Sequence, residues 1–260
     1  MLEYKVEAHG IEEIKKQLDD VQKKQLPFAT KEAINATSTE IKVALEKEIG
    51  KVFDQPTPWT LNSLRIRYAT KALLSGLVWV KDKLDSGKGT PADEYLIAEI
   101  KGGKRPLKKF EKALRRVGIL PDGMYAVPGK FADMDSYGNM SRAQIIQIIS
   151  YFQAFGEQGY KANMNEKGFK RLLKGNKKQG IMGYSYIIGG KGRAAHLPPG
   201  IYKRIPFASG SAIRPVLMFV KEPSYSMRFD FFGIADKIAK ARFVTIFKKK
   251  LAEALRTARP

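Results

Sequence analysis

Apolar residues recur at helical spacing over residues 1–52, in two separate stretches. The first stretch predicts an amphipathic helix that ends before Pro27, because its apolar positions are three or four residues apart: Ile11, Ile14, Leu18 and Val21. The second predicts another helix with Gly50 near its end and one apolar side: Ile34, Ile41, Leu45, Ile49 and Val52. Together they predict an N-terminal helical pair.

A proline-rich segment ends this helical region. Pro56 and Pro58 are incompatible with a regular helix and favour extended backbone. Residues 64–68 then alternate apolar and basic side chains, as a half-exposed strand does, and residues 77–80 predict a more buried strand. Residues 90–93, Thr-Pro-Ala-Asp, predict the start of a helix, because threonine caps helices and proline suits the first helical position.

Three more helices are predicted further along the chain. Residues 106–117 have one apolar face, and Gly118 is placed to end that helix. Residues 141–144 match a capping box and open a helix over 142–155 that is apolar on more than one side. The last helix, over about 229–257, carries many lysines and arginines.

Strand patterns lie between these helices, at residues 125–127, 184–188, 201–205 and 213–221. Several of them follow one another without an intervening helix. This order predicts an α+β fold, with an antiparallel or mixed sheet packed against amphipathic helices and a long basic helix at the C-terminus. We expect a helical region over 1–52 and an α+β domain over 53–260, in which residues 156–195 are a candidate flexible insertion.

The charge distribution changes the picture. The chain has a net charge of +21, but residues 1–100, with 15 basic and 16 acidic side chains, have a net charge of −1. Residues 101–260 have 32 basic and 10 acidic side chains, a net charge of +22. Such a surface predicts a polyanionic partner, nucleic acid above all; a solvated basic surface or an acidic protein partner would have the same composition.

Twelve basic residues are the candidates for facing DNA. Lysine and arginine contacts to phosphate would be independent of base sequence and sensitive to salt. No zinc finger, clear helix-turn-helix or RNA-binding aromatic signature is present, which disfavours sequence-specific regulation. The twelve candidates are Lys104, Arg105, Lys108, Lys109, Lys112, Arg115, Arg116, Lys191, Arg193, Lys248, Lys249 and Lys250.

Residue types that carry catalytic or metal chemistry are scarce. The chain has no cysteine, which excludes disulfides and thiolate chemistry and suits assembly in a reducing cytoplasm. His9 and His196 are far apart and have no metal-ligand spacing. The glycines at 189–192 lack the P-loop pattern and favour a flexible turn, and Asp133 with Asp135 are too few ligands for a cation. We therefore expect no enzymatic activity and no cofactor.

Contacts with other protein chains are expected where apolar side chains need partners. The helix over 142–155 is one such element, and the candidates for contacts between copies are Ile145, Ile149, Phe152 and Trp59. No apolar run approaches the roughly 20 residues that span a bilayer, and the N-terminus lacks the pattern of a cleaved secretory signal. A membrane partner is therefore not expected.

Five segments in order resemble the bacteriophage minor tail protein Z family, the tail completion proteins of long-tailed phages. The resemblance is to an ordered series rather than to one short motif, and it covers residues 53–204. Residues 33–37 look similar as well, whereas residues 156–180 and the last 50 residues match less clearly. The five segments are FDQPTPWTLNSL (53–64), KGTPADEYL (88–96), KKFEKALRRVGILPDGMYAVPG (108–129), DSYGNMSRAQIIQIISYF (135–152) and HLPPGIYKR (196–204).

This resemblance implies a structural protein of the virion, assembled in the cytoplasm of the bacterial host and located at the head-proximal end of the tail. Members of the family are thought to complete the tail for head joining and to help position the end of the packaged DNA; no catalytic residues come with the family. The implied partners are other copies in a ring, sixfold like the tail tube, with tail terminator, tail tube and head connector proteins and double-stranded DNA. The alternative is a non-specific DNA-binding protein that acts in packaging or nucleoid organisation. A phosphoryl-transfer enzyme ranks last, because only ten scattered acids occupy the basic region.

Overall fold

The computed structural model of the chain describes residues 2–7, 25–85, 90–176, 178 and 180–257. The helices in chain order are α1 (Gln25–Val52), α2 (Pro58–Leu61), α3 (Ala92–Lys101), α4 (Lys109–Arg116), α5 (Arg142–Tyr151), α6 (Glu166–Lys174) and α7 (Phe231–Thr257). The strands are β1 (Glu3–Glu7), β2 (Leu64–Arg67), β3 (Ser75–Val80), β4 (Gly103–Lys104), β5 (Met124–Pro128), β6 (Gly175–Asn176), β7 (Ile181–Met182), β8 (Ser185–Gly189), β9 (Gly200–Phe207), β10 (Gly210–Lys221) and β11 (Ser224–Tyr225). Short 3-10 helices span Glu157–Ala162 and Gly192–Ala194.

The chain divides into two units. The terminal unit contains Met1–Arg105 and Tyr225–Pro260, and the central unit contains Pro106–Ser224. This division differs from the predicted boundary at residues 52–53, because α1 packs against the C-terminal helix α7 rather than forming a region of its own. The first helix of the predicted N-terminal pair, with Ile11, Ile14, Leu18 and Val21, lies outside the described residues.

Helix α1 is the core element of the terminal unit. The predicted line of Ile34, Ile41, Leu45 and Ile49 is fully buried, as are the small residues Ala29, Ala33, Thr37 and Ser38. Small side chains on a second side of the helix let neighbouring backbone approach, so α1 packs against both α7 and the sheet. Pro27 lies in the first turn of α1, where the missing N–H costs no hydrogen bond.

A three-stranded antiparallel sheet with the order β1-β3-β2 lies beside α1. The two strands predicted at residues 64–68 and 77–80 are β2 and β3, and β1 is an element that the sequence pattern did not indicate. Gly76 in β3 permits the closest approach: a Cβ atom there would lie 2.7 Å from Ser38 Oγ and 2.8 Å from Ile34 Cγ2. The sheet therefore reaches α1 through a position without a side chain.

Helix α7 is the predicted long basic helix, and it supplies the other side of the terminal core. Phe231, Ala235 and Phe247 are fully buried against the cluster that contains α1. Arg242 joins the two helices at the surface, where its Nε and Nη2 donate to the two carboxylate oxygens of Glu40 at 2.9 and 3.1 Å. This bidentate bond lowers the pKa of Glu40 and fixes the register of α7 on α1.

The central unit has a four-stranded sheet with the order β5-β10-β9-β8. Each pairing in this sheet is antiparallel, which confirms the predicted α+β class and sheet type. Helices α4 and α5 contribute Leu114, Ile148 and Ile149 to a core with Ile201 and Leu217 of the sheet.

Two local predictions for the central unit differ from the structure. The described part of 156–195, predicted as a flexible insertion, contains α6, the β6–β7 pair and β8, which is a strand of the main sheet. The capping box at 141–144 does not form, because Ser141 makes no side-chain cap bond. The Gln144 amide instead pairs with the backbone N–H and the carboxylate of Asp133, at 2.8 and 2.7 Å.

Among the helices that the structure describes, none combines the length and the apolar character that crossing a membrane requires.

The close approach at Gly76 leads to a stability prediction. Gly76→Ala should destabilise the terminal unit by roughly 1–3 kcal/mol, since the added methyl overlaps Ser38 and Ile34. Gly50→Ala is the matched control, because no atom lies within 4 Å of its added Cβ, and it should stabilise α1 by up to about 1 kcal/mol. Urea denaturation of both variants measures the effects; equal midpoints for the two would contradict the packing of β3 on α1.

Candidate nucleic-acid interface

The twelve predicted DNA-facing residues are divided between the two units. Lys104, Arg105 and residues 248–250 belong to the terminal unit, and the other seven belong to the central unit. The central unit has 20 basic and seven acidic side chains, a net charge of +13, and the terminal unit accounts for the remaining +8. The candidates therefore form two groups, one on each unit.

Helix α4 arranges three of the candidates in one stripe. Lys109, Lys112 and Arg116 are separated by three and four residues, so they lie on the same side of the helix, and all three are exposed. The opposite side is buried through Glu111 and Leu114. At 1.5 Å per residue, the stripe extends the charges over roughly 10 Å of helix.

A buried carboxylate holds this helix on the sheet. Glu111 is fully buried, and its two oxygens accept from the backbone N–H of Lys108 at 2.7 Å and from that of Ala126 in β5 at 2.8 Å. The first bond caps the N-terminus of α4, and the second ties the helix to the sheet. The sequence pattern did not indicate this role for Glu111, because the helix was predicted to start at residue 106, and only the start at Lys109 places Glu111 three residues after the N-cap.

Two of the predicted DNA-facing arginines are engaged within the chain. Arg115 is half-buried and donates from Nη2 to the Met124 carbonyl at 2.7 Å, so part of its donor capacity is used inside the chain. Arg116 donates from Nη2 to the carbonyl of Ala154, three residues after the end of α5, at 2.6 Å. Because Arg116 is exposed and a guanidinium has five N–H donors, it retains donors for a phosphate.

The turn after β8 places a further cation, Lys191, at the C-terminal end of α4. The Lys191 ammonium donates to the Gly118 carbonyl at 2.6 Å, where the negative end of the helix dipole favours a cation. Gly118 has a φ of +71°, as expected for the residue that ends this helix. Lys109, Lys112, Arg116 and Lys191 are called the α4 basic surface below. Arg193 is exposed two residues further along.

The five candidates in the terminal unit differ in exposure and in charge pairing. Lys248 and Lys249 are exposed on α7, whereas Lys250 pairs with Glu253 at 2.8 Å. The bond to Glu253 raises the pKa of Lys250 and neutralises its charge locally. Lys104 is exposed in β4, and Arg105 is half-buried. The sequence prediction did not separate these cases, because charge pairing depends on which side chains meet.

Most of the residues predicted to contact other copies pack within the chain itself. Ile149 is buried in the central core, and Ile145 and Phe152 are half-buried against that core, which leaves part of their surfaces exposed. The apolar character of α5 thus serves the sheet of its own unit. Trp59, with 45% of its surface exposed, remains accessible, as does Ile146 on α5 at 42%.

The polar groups near α5 form hydrogen-bonded pairs. Asp133 also lies 3.4 Å from the Lys203 ammonium, and the Asp135 carboxylate accepts from the backbone N–H groups of Tyr137 and Asn139. In the described ranges, no group of three or more histidine, cysteine or acidic side chains is placed to hold a metal ion. His196 is exposed, and His9 lies outside the described residues.

Comparison of the chain with protein-family models, with curated proteins and with solved structures found no match.

The Glu111 contacts lead to a second stability prediction. Glu111→Gln keeps the shape but loses the charge and places an NH₂ group against one backbone donor, so it should destabilise the central unit by roughly 2–4 kcal/mol. Glu157→Gln, an exposed acid of the same unit, is the control and should change stability by less than about 0.5 kcal/mol. Chemical denaturation followed by circular dichroism measures both, and a neutral Glu111→Gln would contradict the role of the carboxylate.

Proposed function

We propose that this chain is a non-enzymatic structural protein of a phage virion, located at the head-proximal end of the tail. There it assists head–tail joining and positions the end of the packaged DNA. The resemblance of five ordered segments over residues 53–204 to the minor tail protein Z family supports this location.

The observation that carries the proposal is the α4 basic surface. Three of its side chains are exposed along one side of α4, the buried Glu111 holds that helix on the sheet, and Lys191 lies at the helix's C-terminal end. A rigid row of cations without a base-reading element suits contact with successive phosphates rather than recognition of a sequence. Such contacts are what a protein beside packaged DNA requires.

The proposed partners follow from the same location. They are other copies in a ring, which we take to be hexameric, the tail terminator and tail tube, the head connector proteins and double-stranded DNA. The exposed Trp59 is a candidate for contacts with these proteins. The proposed site of action is the virion, after assembly in the cytoplasm of the bacterial host.

A second candidate function rests on the same α4 basic surface. A free, non-specific DNA-binding protein in packaging or nucleoid organisation would also use a row of exposed cations. The two functions differ in where the protein is found: in the finished particle, or on DNA in the cell.

A DNA-binding measurement tests the α4 basic surface. Lys109→Gln with Lys112→Gln should weaken binding to duplex DNA and make the slope of log Kobs against log salt less steep by about 2, since each phosphate contact contributes roughly 0.9. Lys167→Gln with Lys170→Gln removes the same charge from exposed positions on α6 and should change the slope less. Equal slopes for the two double variants would show that the loss of binding depends only on net charge, and would contradict a specific role for the α4 basic surface.

The location is tested in the particle. Cryo-electron microscopy of virions that contain this chain should show it at the neck, with Lys109 and Lys112 facing the DNA-filled lumen. Mass spectrometry of purified virions gives the copy number. Absence of the chain from virions, together with its recovery on DNA in infected cells, would favour the second function instead.

A further inference from the structure

Strand β2 leaves one edge of the terminal sheet open. In the order β1-β3-β2 it pairs with β3 on one side, and no strand that the structure describes lies on its other side. The Lys81 N–H donates to the Ser63 carbonyl at 2.7 Å. Residues 63 and 81 are therefore a hydrogen-bonded pair, and every second residue of β2 after Ser63 directs its backbone groups towards β3. The backbone groups of Arg65 therefore point towards β3, and those of Leu64 and Ile66 point outward.

An open groove of about 460 Å³ runs along this edge. Its walls are Lys42 and Glu46 of α1 on one side and residues 64–66 of β2 on the other, with Tyr68 and Lys81 also in the lining. Within the described residues, no hydrogen bond uses the outward N–H and C=O groups of Leu64 and Ile66. The groove thus presents the backbone donor and acceptor of the half-buried Ile66, whereas Leu64 is only 3% exposed.

The backbone that follows β2 is held by a side chain of α1. The Asn35 amide accepts from the Ala69 N–H at 2.7 Å and donates to the Ala69 carbonyl at 3.2 Å. Ala69 and Leu64 are buried, whereas Tyr68 has 53% of its surface exposed. Arg65 and Arg67 are exposed and Ile66 is half-buried, so the accessible part of the edge is residues 65–68.

The charged side chains around the groove indicate which kind of partner segment it would bind. Lys42, Arg65 and Lys81 face one acid, Glu46, which pairs with Lys42. Arg65 contacts Asp85 at 3.4 Å but keeps half of its side chain exposed, and Arg67 is exposed two residues along the strand. The surplus is positive, so an acidic chain fits better than a basic one.

We infer that the open edge of β2 is a docking site for an extended, acidic segment of a partner protein, which adds a fourth strand to the sheet. Main-chain hydrogen bonds to the half-buried Ile66 supply the binding, and Arg65, Arg67 and Lys81 supply the preference for acidic side chains. Basic residues on an edge strand also act against aggregation. That role alone predicts no binding of a peptide. The site belongs to the terminal unit, so it does not depend on the α4 basic surface.

Peptide binding to the full chain tests the inference. The probe is a short acetylated peptide of alternating Glu and Val, measured by fluorescence anisotropy beside two analogues: one with Lys in place of Glu, and one with alternate backbone nitrogens methylated. The acidic peptide should bind at least about ten-fold more tightly than either analogue, because the first reverses the charge and the second removes strand hydrogen bonds. Hydrogen exchange at the Ile66 amide should slow by about ten-fold or more on binding.

Matched variants localise the effect. Arg65→Gln with Arg67→Gln should weaken binding of the acidic peptide by about ten-fold, whereas Lys248→Gln with Lys249→Gln removes the same charge from α7 and should leave it nearly unchanged. Equal binding of the methylated peptide, or equal losses in the two double variants, would overturn the inference. So would light scattering that shows self-association lost in Arg65→Gln/Arg67→Gln, since a second copy would then fill the edge. Protection of the Ile66 amide by duplex DNA would also overturn it.

Discussion

The packing of α1 against α7 is the interaction on which the terminal unit depends. The two helices come from opposite ends of the chain, and their apolar faces bury Ile41, Leu45 and Phe247 in one core. Closing such a long loop costs conformational entropy, which the burial of many apolar side chains must exceed. Strand β4 (Gly103–Lys104) pairs with β11 (Ser224–Tyr225), so the points where the chain leaves the terminal unit and returns to it lie close together.

The central unit solves a different problem, which is how to hold a basic helix in place. Helix α4 has few apolar residues, so the burial of Leu114 is supplemented by a charge-assisted bond from Glu111 to the sheet. A buried carboxylate that accepts two backbone N–H groups compensates for its desolvation through those bonds. The lysines on the outer side are then free to serve an electrostatic role at no cost to the core.

Basic residues in this protein therefore belong to two classes. Arg115, Arg116 and Lys191 donate to backbone carbonyls, and Arg242 and Lys250 pair with acids. The lysines at 109 and 112 point into solvent. A net charge of +21 consequently overstates the positive potential available to a partner, and position on the fold matters more than the total.

The sequence by itself determined the local elements of this protein. The spacing of Ile34, Ile41, Leu45 and Ile49 predicted the buried side of α1, alternation predicted β2, and the apolar face over residues 106–117 predicted the helix that carries Lys109, Lys112 and Arg116. These features depend on residues a few positions apart, so periodicity is sufficient to find them. Only the tertiary structure decided that α1 packs with α7, that Glu111 reaches Ala126, and that Ile149 is covered by its own sheet. Each of those outcomes is a contact between distant segments, and a single sequence does not encode, in any local pattern, which of its many apolar and charged side chains will meet.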